Sequence, residues 1–194
     1  MGFGPILKRS FYNRATVQVA RDLLGKVIVH GPTAGIIVET EAYLGGDDLA
    51  AHSARGITGR TRVIFGPPGH AYVYFIYGMY QCLNLVCEPP GQPGCVLIRA
   101  LEPVAGLEVM QHRRPAARKP RDLTSGPGKL TMAMAITRTH NGADVTRGSL
   151  VVRQMIAQRP IEIETTPRIG ISRCVDLPLR FLIHGNAFVS GIPK

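Results

Sequence analysis

The chain has no tryptophan and only six tyrosines, which fall at positions 12, 43 and within 72 to 80. Acidic residues are also scarce, 13 against 23 lysines and arginines, so the formal charge is +10. The excess is spread along the sequence instead of sitting in a tail, which predicts a broad basic face. Such a face favours polyanions, because each neutralised phosphate releases a counterion. Charge alone admits nucleic acid or an anionic membrane surface, and it chooses no reaction. Apolar runs stay far below the roughly 20 residues of a membrane helix. Met1 to Arg14 lacks the apolar core and small-residue cleavage site of a signal peptide, so the expectation is a cytosolic protein, or a nuclear one in a eukaryote. Cysteine is limited to Cys82, Cys87, Cys95 and Cys174. With no C-x-x-C and no paired histidine spacing, these read as reduced structural thiols, not zinc ligands or disulfides.

A length of 194 residues, 45% of them hydrophobic, suffices for one domain, residues 1–194, with a substantial core. Thr16 to Leu24 has the spacing of a short amphipathic helix, with Val17, Ala20, Leu23 and Leu24 on one face, Thr16 as its cap and Gly25 as its end. Lys26 to His30 reads as a strand. Gly35 to Tyr43 alternates, which puts Ile37, Glu39, Glu41 and Tyr43 on one face and Ile36, Val38, Thr40 and Ala42 on the other. Gly45 to Pro68 is a long surface loop with at most a helical turn around Asp47 to Ala54. His70 to Ile76 and Gln81 to Cys87 flank Tyr77-Gly78-Met79-Tyr80 and form a β-hairpin. Cys95 to Leu101 is another strand, Pro103 to Gln111 a helix, His112 to Arg121 a basic loop, and Gly128 to Ile136 a second helix. Short strands follow from Ser149. The sum is an α+β fold: a single mixed domain around a curved, largely antiparallel β-sheet with flanking helices and a protruding hairpin.

Glu41 lies near the end of a strand, on the face of Tyr43, just before a glycine-rich loop. A carboxylate there can orient and deprotonate a water, although a lone glutamate on a strand is more often a surface residue. Arg99 leaves the sheet from the apolar run Val96-Leu97-Ile98, and a buried arginine needs a carboxylate. Glu41 is the natural partner; Glu39 or Glu102 would serve equally in a structural pair. Core packing is accepted for Phe75, but not for tyrosines crowded at a glycine-containing tip. A projecting aromatic or methionine, Tyr77 or Met79, suits a wedge between base steps, with tyrosines behind it to stack an extruded base. A protein-binding hairpin would carry the same residues. His52 serves equally as a backbone-bonded histidine or as a base contact. Asn84, in the apolar strand Cys82-Leu83-Asn84-Leu85-Val86, requires buried polar partners. Ser125-Gly126-Pro127-Gly128-Lys129-Leu130 departs from a Walker A loop at Leu123 and Leu130, which argues against a nucleoside triphosphatase. It still offers Lys129 to a backbone phosphate.

Taken together, several segments resemble the alkyladenine type of 3-methyladenine DNA glycosylase. They are Val38-Glu39-Thr40-Glu41-Ala42-Tyr43-Leu44-Gly45, Ala51-His52-Ser53, Tyr72-Val73-Tyr74 with Tyr77-Gly78-Met79-Tyr80, Val96 to Pro103, Ser125-Gly126-Pro127 with Lys129-Leu130, and Pro178-Leu179-Arg180-Phe181. The order and spacing cover almost the whole chain. The resemblance implies a monofunctional, monomeric enzyme that flips an alkylated or deaminated purine from double-stranded DNA and hydrolyses its N-glycosidic bond. It implies no metal, no soluble cofactor and no membrane partner. Family substrates include 3-methyladenine, 7-methylguanine, hypoxanthine and ethenoadenine.

By the same resemblance Glu41 activates the water and Arg99 helps to hold it, while Tyr43, His52 and Tyr74 enclose the base. Tyr77 fills the vacated stack, with Met79 beside it, and Asn84 excludes the amino group of guanine. Tyr72, Tyr80 and Lys129 are supporting or backbone-contacting residues. The pattern breaks in the long loop, where Gly56-Ile57-Thr58-Gly59-Arg60-Thr61 replaces Gly-x-Thr-Pro-Arg-Asn; this touches loop stiffness and substrate range, not the catalytic set. No lysine stands in the strands that carry the site, where a Schiff-base lyase would need an amine. Two other readings stay open from the residues alone: a non-catalytic nucleic-acid-binding module, and a pocket for a small molecule.

Overall fold

In the computed structural model, which describes residues 2–76, 78–156 and 160–191, the chain runs β1 (Phe3–Ile6), α1 (Arg9–Tyr12), α2 (Thr16–Asp22), β2 (Val27–His30), β3 (Thr33–Tyr43), β4 (Ala71–Ile76) and β5 (Tyr80–Val86). It continues through β6 (Cys95–Ala105), α3 (Leu107–Arg113), α4 (Pro120–Thr124), α5 (Pro127–Ala133), β7 (Leu150–Met155), β8 (Ile163–Thr166) and β9 (Arg180–Ile183). Among the described residues the strands join in one antiparallel sheet of order β1-β7-β2-β3-β6-β5-β4, with β9 paired to β3 and β8 to β9. The α+β reading holds.

Strand β3 is the spine. One edge pairs with β6 along its length; the other pairs with β2 over Thr33–Ile36 and with β9 over 39–41. Its second half, which carries Glu39 and Glu41, is therefore closed on both edges and shielded from water. Neighbouring residues divide between two apolar clusters: Val73, Leu83, Leu85, Val96 and Ile98 enter the main core with Val19 and Ala20 of α2, Leu23 just after it, and Leu130 and Ala133 of α5. Tyr72, Val86 and Cys95 join Ile64 in a smaller cluster on the other face. Each fully buried Leu, Ile or Val of the core contributes roughly 1.5–3 kcal/mol. The smaller cluster lies beneath the long loop, and the candidate site is built there.

Two bulges correct the simple alternation expected in β3. Ile37 pairs with Leu101 and Glu39 with Ala100, so Val38 is an extra residue; Glu39 pairs with Ala100 and Thr40 with Ile98, so Arg99 is extra in β6. The first shifts Ile37 away from the face of Glu39 and Glu41 and into the main core beside Ala42. The second re-aims Arg99, as bulges near functional sites commonly do.

Other expectations are corrected at element ends. Thr16 is the first residue of α2 and not its cap, which is Ala15; its N–H and hydroxyl both donate to Glu88 Oε1, at 2.6 and 2.8 Å. The helix expected from Pro103 begins only at Leu107, because β3 starts early enough to pair Ala34 with Ala105, and a bulge between Pro103 and Ala105 accommodates the missing proline N–H. Gly106 makes the turn at φ +70, where a Cβ would lie 2.4 Å from the Pro32 carbonyl oxygen. The basic loop is shorter than expected, since α3 reaches Arg113 and α4 opens on Pro120. Phe75 is not in the core but 47% exposed: it pairs with Gln81 near the tip, where the hairpin has outrun the core that Val73 and Leu83 reach. In the long loop the helical turns are at His52–Arg55 and Arg62–Phe65. Cys82, Cys87 and Cys95 are buried free thiols, and Cys174 is a partly exposed one.

Candidate active site

A cavity of about 330 Å³ opens over the smaller cluster. Tyr43 from β3, Tyr72, Tyr74 and Ile76 from β4, Asn84 from β5, Cys95 from β6 and His52 and Ile64 from the long loop line it, and Gly170 to Arg173 close one side. The registers Tyr72↔Asn84, Asn84↔Leu97 and Leu97↔Glu41 place these residues on one face of the sheet.

Glu41 lies behind the cavity wall, fully buried, and does not itself line the cavity. Its Oε1 accepts the Ile169 N–H at 2.9 Å and lies 3.3 Å from an Arg99 guanidinium nitrogen. Its Oε2 accepts the Tyr43 hydroxyl at 2.9 Å. Burial, reinforced by the adjacent Glu41 charge, holds the Tyr43 phenol above its usual range, so it stays a donor. Arg99 also donates from Nε to Glu39 Oε1 at 2.9 Å, and Arg180 Nε donates to the same oxygen at 2.7 Å. Glu39 Oε2 accepts the Ser190 N–H at 2.6 Å. Of the three glutamates considered for Arg99, Glu41 and Glu39 are its partners, whereas Glu102 accepts from Asn186. These bonds satisfy the charges that burial would otherwise penalise by several kcal/mol each.

At the cavity's polar end His52 Nδ1 is 3.0 Å from the Tyr72 hydroxyl, and Arg60 Nε donates to that hydroxyl at 3.2 Å. The His52 ring meets Tyr74 edge-on with centroids 4.6 Å apart. Burial, with the Arg60 charge second, pushes the His52 pKa down to about 4, so the ring is neutral at pH 7. Asn84 Nδ2 donates to the Tyr72 carbonyl at 3.2 Å, which supplies the partner its burial requires. Met79, near the hairpin tip, is 65% exposed. Tyr77 lies outside the described residues. Tyr80 packs on Gly128 at the start of α5, one residue from Lys129; a Cβ on Gly128 would stand 2.9 Å from the Tyr80 Cβ. Among the described residues no group of three or more histidines, cysteines or carboxylates could hold a metal. No helix among them is long and apolar enough to cross a membrane.

The family model for methylpurine-DNA glycosylase matches residues 10–187. The chain is 54% identical to a protein of Methanocella arvoryzae, covering 91% of this chain and 90% of the relative. It is 50% identical to one of Koribacter versatilis (95% and 93%) and 52% to one of Methanoculleus marisnigri (95% and 98%); all three are provisionally named 3-methyladenine DNA glycosylases. The chain belongs to the methylpurine-DNA glycosylase family. Of the readings left open by the residues, a DNA N-glycosyl hydrolase is the one that stands.

Within this glycosylase, sequence reasoning missed the segment that covers Glu41. Arg168 is buried, forms two 2.7 Å bonds to the two oxygens of Asp48, donates to the Ala42 carbonyl at 3.0 Å and stacks on the Tyr43 ring at 4.6 Å. It thereby fixes Ile169, whose N–H reaches Glu41. Nothing local in Thr166-Pro167-Arg168-Ile169 signals this, because the partners stand some 120 residues earlier. The departure in the long loop is compensated: Thr61 Oγ1 accepts the Thr58 N–H at 2.8 Å, Thr58 Oγ1 accepts the Thr61 N–H at 3.1 Å, and the Thr61 hydroxyl donates to the Gly56 carbonyl at 2.9 Å.

Proposed function

We propose that this glycosylase is monofunctional, that it takes a damaged purine out of duplex DNA into the cavity between Tyr43, His52 and Tyr74, and that Glu41 activates the water that replaces the base. The observation that carries this reading is the hydrogen bonding of Glu41. A carboxylate offers about four acceptor positions. Hydrogen bonds from Ile169 and Tyr43 and the ion pair with Arg99 take up three of them, and the remaining one, on Oε2, is assigned to the attacking water.

In this reaction the C1′–N9 bond breaks and its electron pair leaves with the purine. The sugar becomes oxocarbenium-like and is stabilised by the Glu41 charge. The water oxygen bonds to C1′, its proton passes to Glu41, and an abasic site remains. Arg99 helps to hold the water. An N-alkylated purine is already cationic and leaves readily, and tyrosine faces attract it. On this reading 3-methyladenine and 7-methylguanine are substrates, and hypoxanthine and ethenoadenine are neutral ones. Asn84 excludes the guanine amino group. The lining residues of the cavity include no lysine, which supports hydrolysis without strand cleavage.

Charge +10 supports binding to the phosphates of double-stranded DNA. The exposed Met79, with Tyr77, is assigned to the vacated stack, and Tyr80 and Lys129 to its flank. The enzyme works as a monomer, in the bacterial cytoplasm with the nucleoid or in a nucleus. The test is a panel of duplexes, each with one lesion, assayed for free base and then heated in alkali to reveal abasic sites. Base release without alkali-independent strand breaks is expected; breaks without alkali, or no release from any lesion, would overturn the reading.

A further inference from the structure

Arg60 and His52 together determine which way the Tyr72 hydroxyl points. A guanidinium has donors only. Arg60 places one nitrogen 3.2 Å from the Tyr72 oxygen and another 3.4 Å from His52 Nε2. Nε2 must therefore accept, which leaves the hydrogen of the neutral ring on Nδ1, facing the Tyr72 oxygen at 3.0 Å. In the other tautomer Arg60 and Nε2 would meet as two donors. The Tyr72 oxygen thus receives two hydrogen bonds, one from His52 and one from Arg60. Its own proton has neither of them as acceptor, and the cavity that Tyr72 lines is the space left to it.

Resting on the reading of this cavity as a base pocket, we propose that Tyr72 is a specificity-determining hydrogen-bond donor for uncharged purines, held in that role by Arg60 and His52. A cationic alkylpurine departs as a neutral base and gains little from a donor. A neutral purine departs with the glycosidic electron pair and becomes anionic on its ring nitrogens or exocyclic oxygen. A phenolic O–H aimed at that charge stabilises the departing base without leaving its own oxygen. Two donors into the oxygen polarise the O–H and strengthen this bond. The low His52 pKa keeps the ring in the required neutral form at working pH. Arg60 is exposed and stacks on the Tyr74 ring at 5.0 Å, so it can act as a positioning residue without supporting the core.

The experiment compares single-turnover base release from two duplexes, one with a single hypoxanthine and one with a single 7-methylguanine, in the full chain. Tyr72→Phe keeps the ring and removes the donor. Hypoxanthine release should fall about 10- to 100-fold, the range for a hydrogen bond to a charged group, while 7-methylguanine release changes less than about threefold. Equal losses for both lesions, or no loss for hypoxanthine, would overturn the proposal. Arg60→Met provides an independent reading should Tyr72→Phe fold poorly. It frees the His52 tautomer, so the Tyr72 proton can turn to Nδ1, and the hypoxanthine to 7-methylguanine rate ratio should drop at least about fivefold. A general loss of phosphate binding would lower both rates and leave the ratio unchanged; that result overturns the positioning role. A parent enzyme that releases neither base refutes the proposed function itself, whereas one that releases both with an unmoved ratio refutes only the role of Tyr72.

Discussion

The Tyr43 hydroxyl donates to Glu41 Oε2 at 2.9 Å from two residues along the same strand, so the ring that lines the cavity also orients the carboxylate behind it. Glu41→Gln should retain lesion-duplex binding within about threefold and lose about 10³-fold or more in base release. Free base at the parent rate from this variant would sink the water-activating role. Tyr43→Phe removes one hydrogen bond to a buried charged group; it should slow release about 10- to 100-fold and lower stability by about 1–3 kcal/mol.

Arg168 and Asp48 form the clamp that holds Ile169 over Glu41. Both side chains are fully or almost fully buried, so removing one charge strands the other. Asp48→Asn should destabilise the fold by about 3–5 kcal/mol, measured as a lower urea midpoint at unchanged slope. Arg168→Lys should also destabilise, because an ammonium cannot form the two-pronged bond or the stack on Tyr43. An Asp48→Asn protein within about 0.5 kcal/mol of the parent would show that the clamp is dispensable.

The contrast between Glu41 and Arg168 shows what one sequence can reveal. Glu41 and Tyr43 sit on a period-two strand, so their shared face is readable from spacing alone, as is the shared face of Tyr72 and Tyr74 on the hairpin strand that pairs them with Asn84 and Cys82. The bulges at Val38 and Arg99 are invisible at that level, since an extra residue is defined only against its partner strand. For the same reason Phe75 looks like core: its apolar character is local, but its exposure depends on where the sheet beneath it ends. Arg168 and Ser190 meet their partners through chain closures of more than 100 residues, which no local pattern encodes.

Acid should expose two depressed pKa values with the same sign. Burial opposes ionisation of Asp144, but hydrogen bonds from Thr146 and Arg9 outweigh it and bring the pKa to about 2, below the roughly 3.9 of a free aspartate. Its contribution is present above about pH 4 and lost as the pH falls towards 2. Asp144→Asn should flatten that limb of the stability curve. His52, at about 4 against 6.5, is protonated first in the unfolded chain, so its contribution is lost between about pH 6.5 and 4. By NMR its ring signals should stay flat from about pH 8 to 5, and Arg60→Met should move the midpoint upward by removing a neighbouring charge. A parent midpoint near 6.5 would show that neither partial desolvation nor the Arg60 charge holds this ring neutral.

Gly128 lets α5 approach the root of the hairpin. A Cβ there would lie 2.9 Å from the Tyr80 Cβ and 3.0 Å from two ring carbons, and α5 cannot simply retreat, because the Thr131 hydroxyl donates to the Gln81 carbonyl at 2.9 Å. Gly128→Ala should therefore cost about 1–3 kcal/mol and tilt Tyr80 with the strand that carries it. Gly59→Ala is the matched control: no atom lies within 4 Å of its added Cβ, and stability should change by less than about 0.5 kcal/mol. If Tyr80 flanks the duplex, Gly128→Ala should weaken binding to undamaged DNA while single-turnover base release at saturating enzyme changes less than about threefold. An equal loss in both measurements would place the hairpin root within the chemistry of the cavity and not in the grip on DNA.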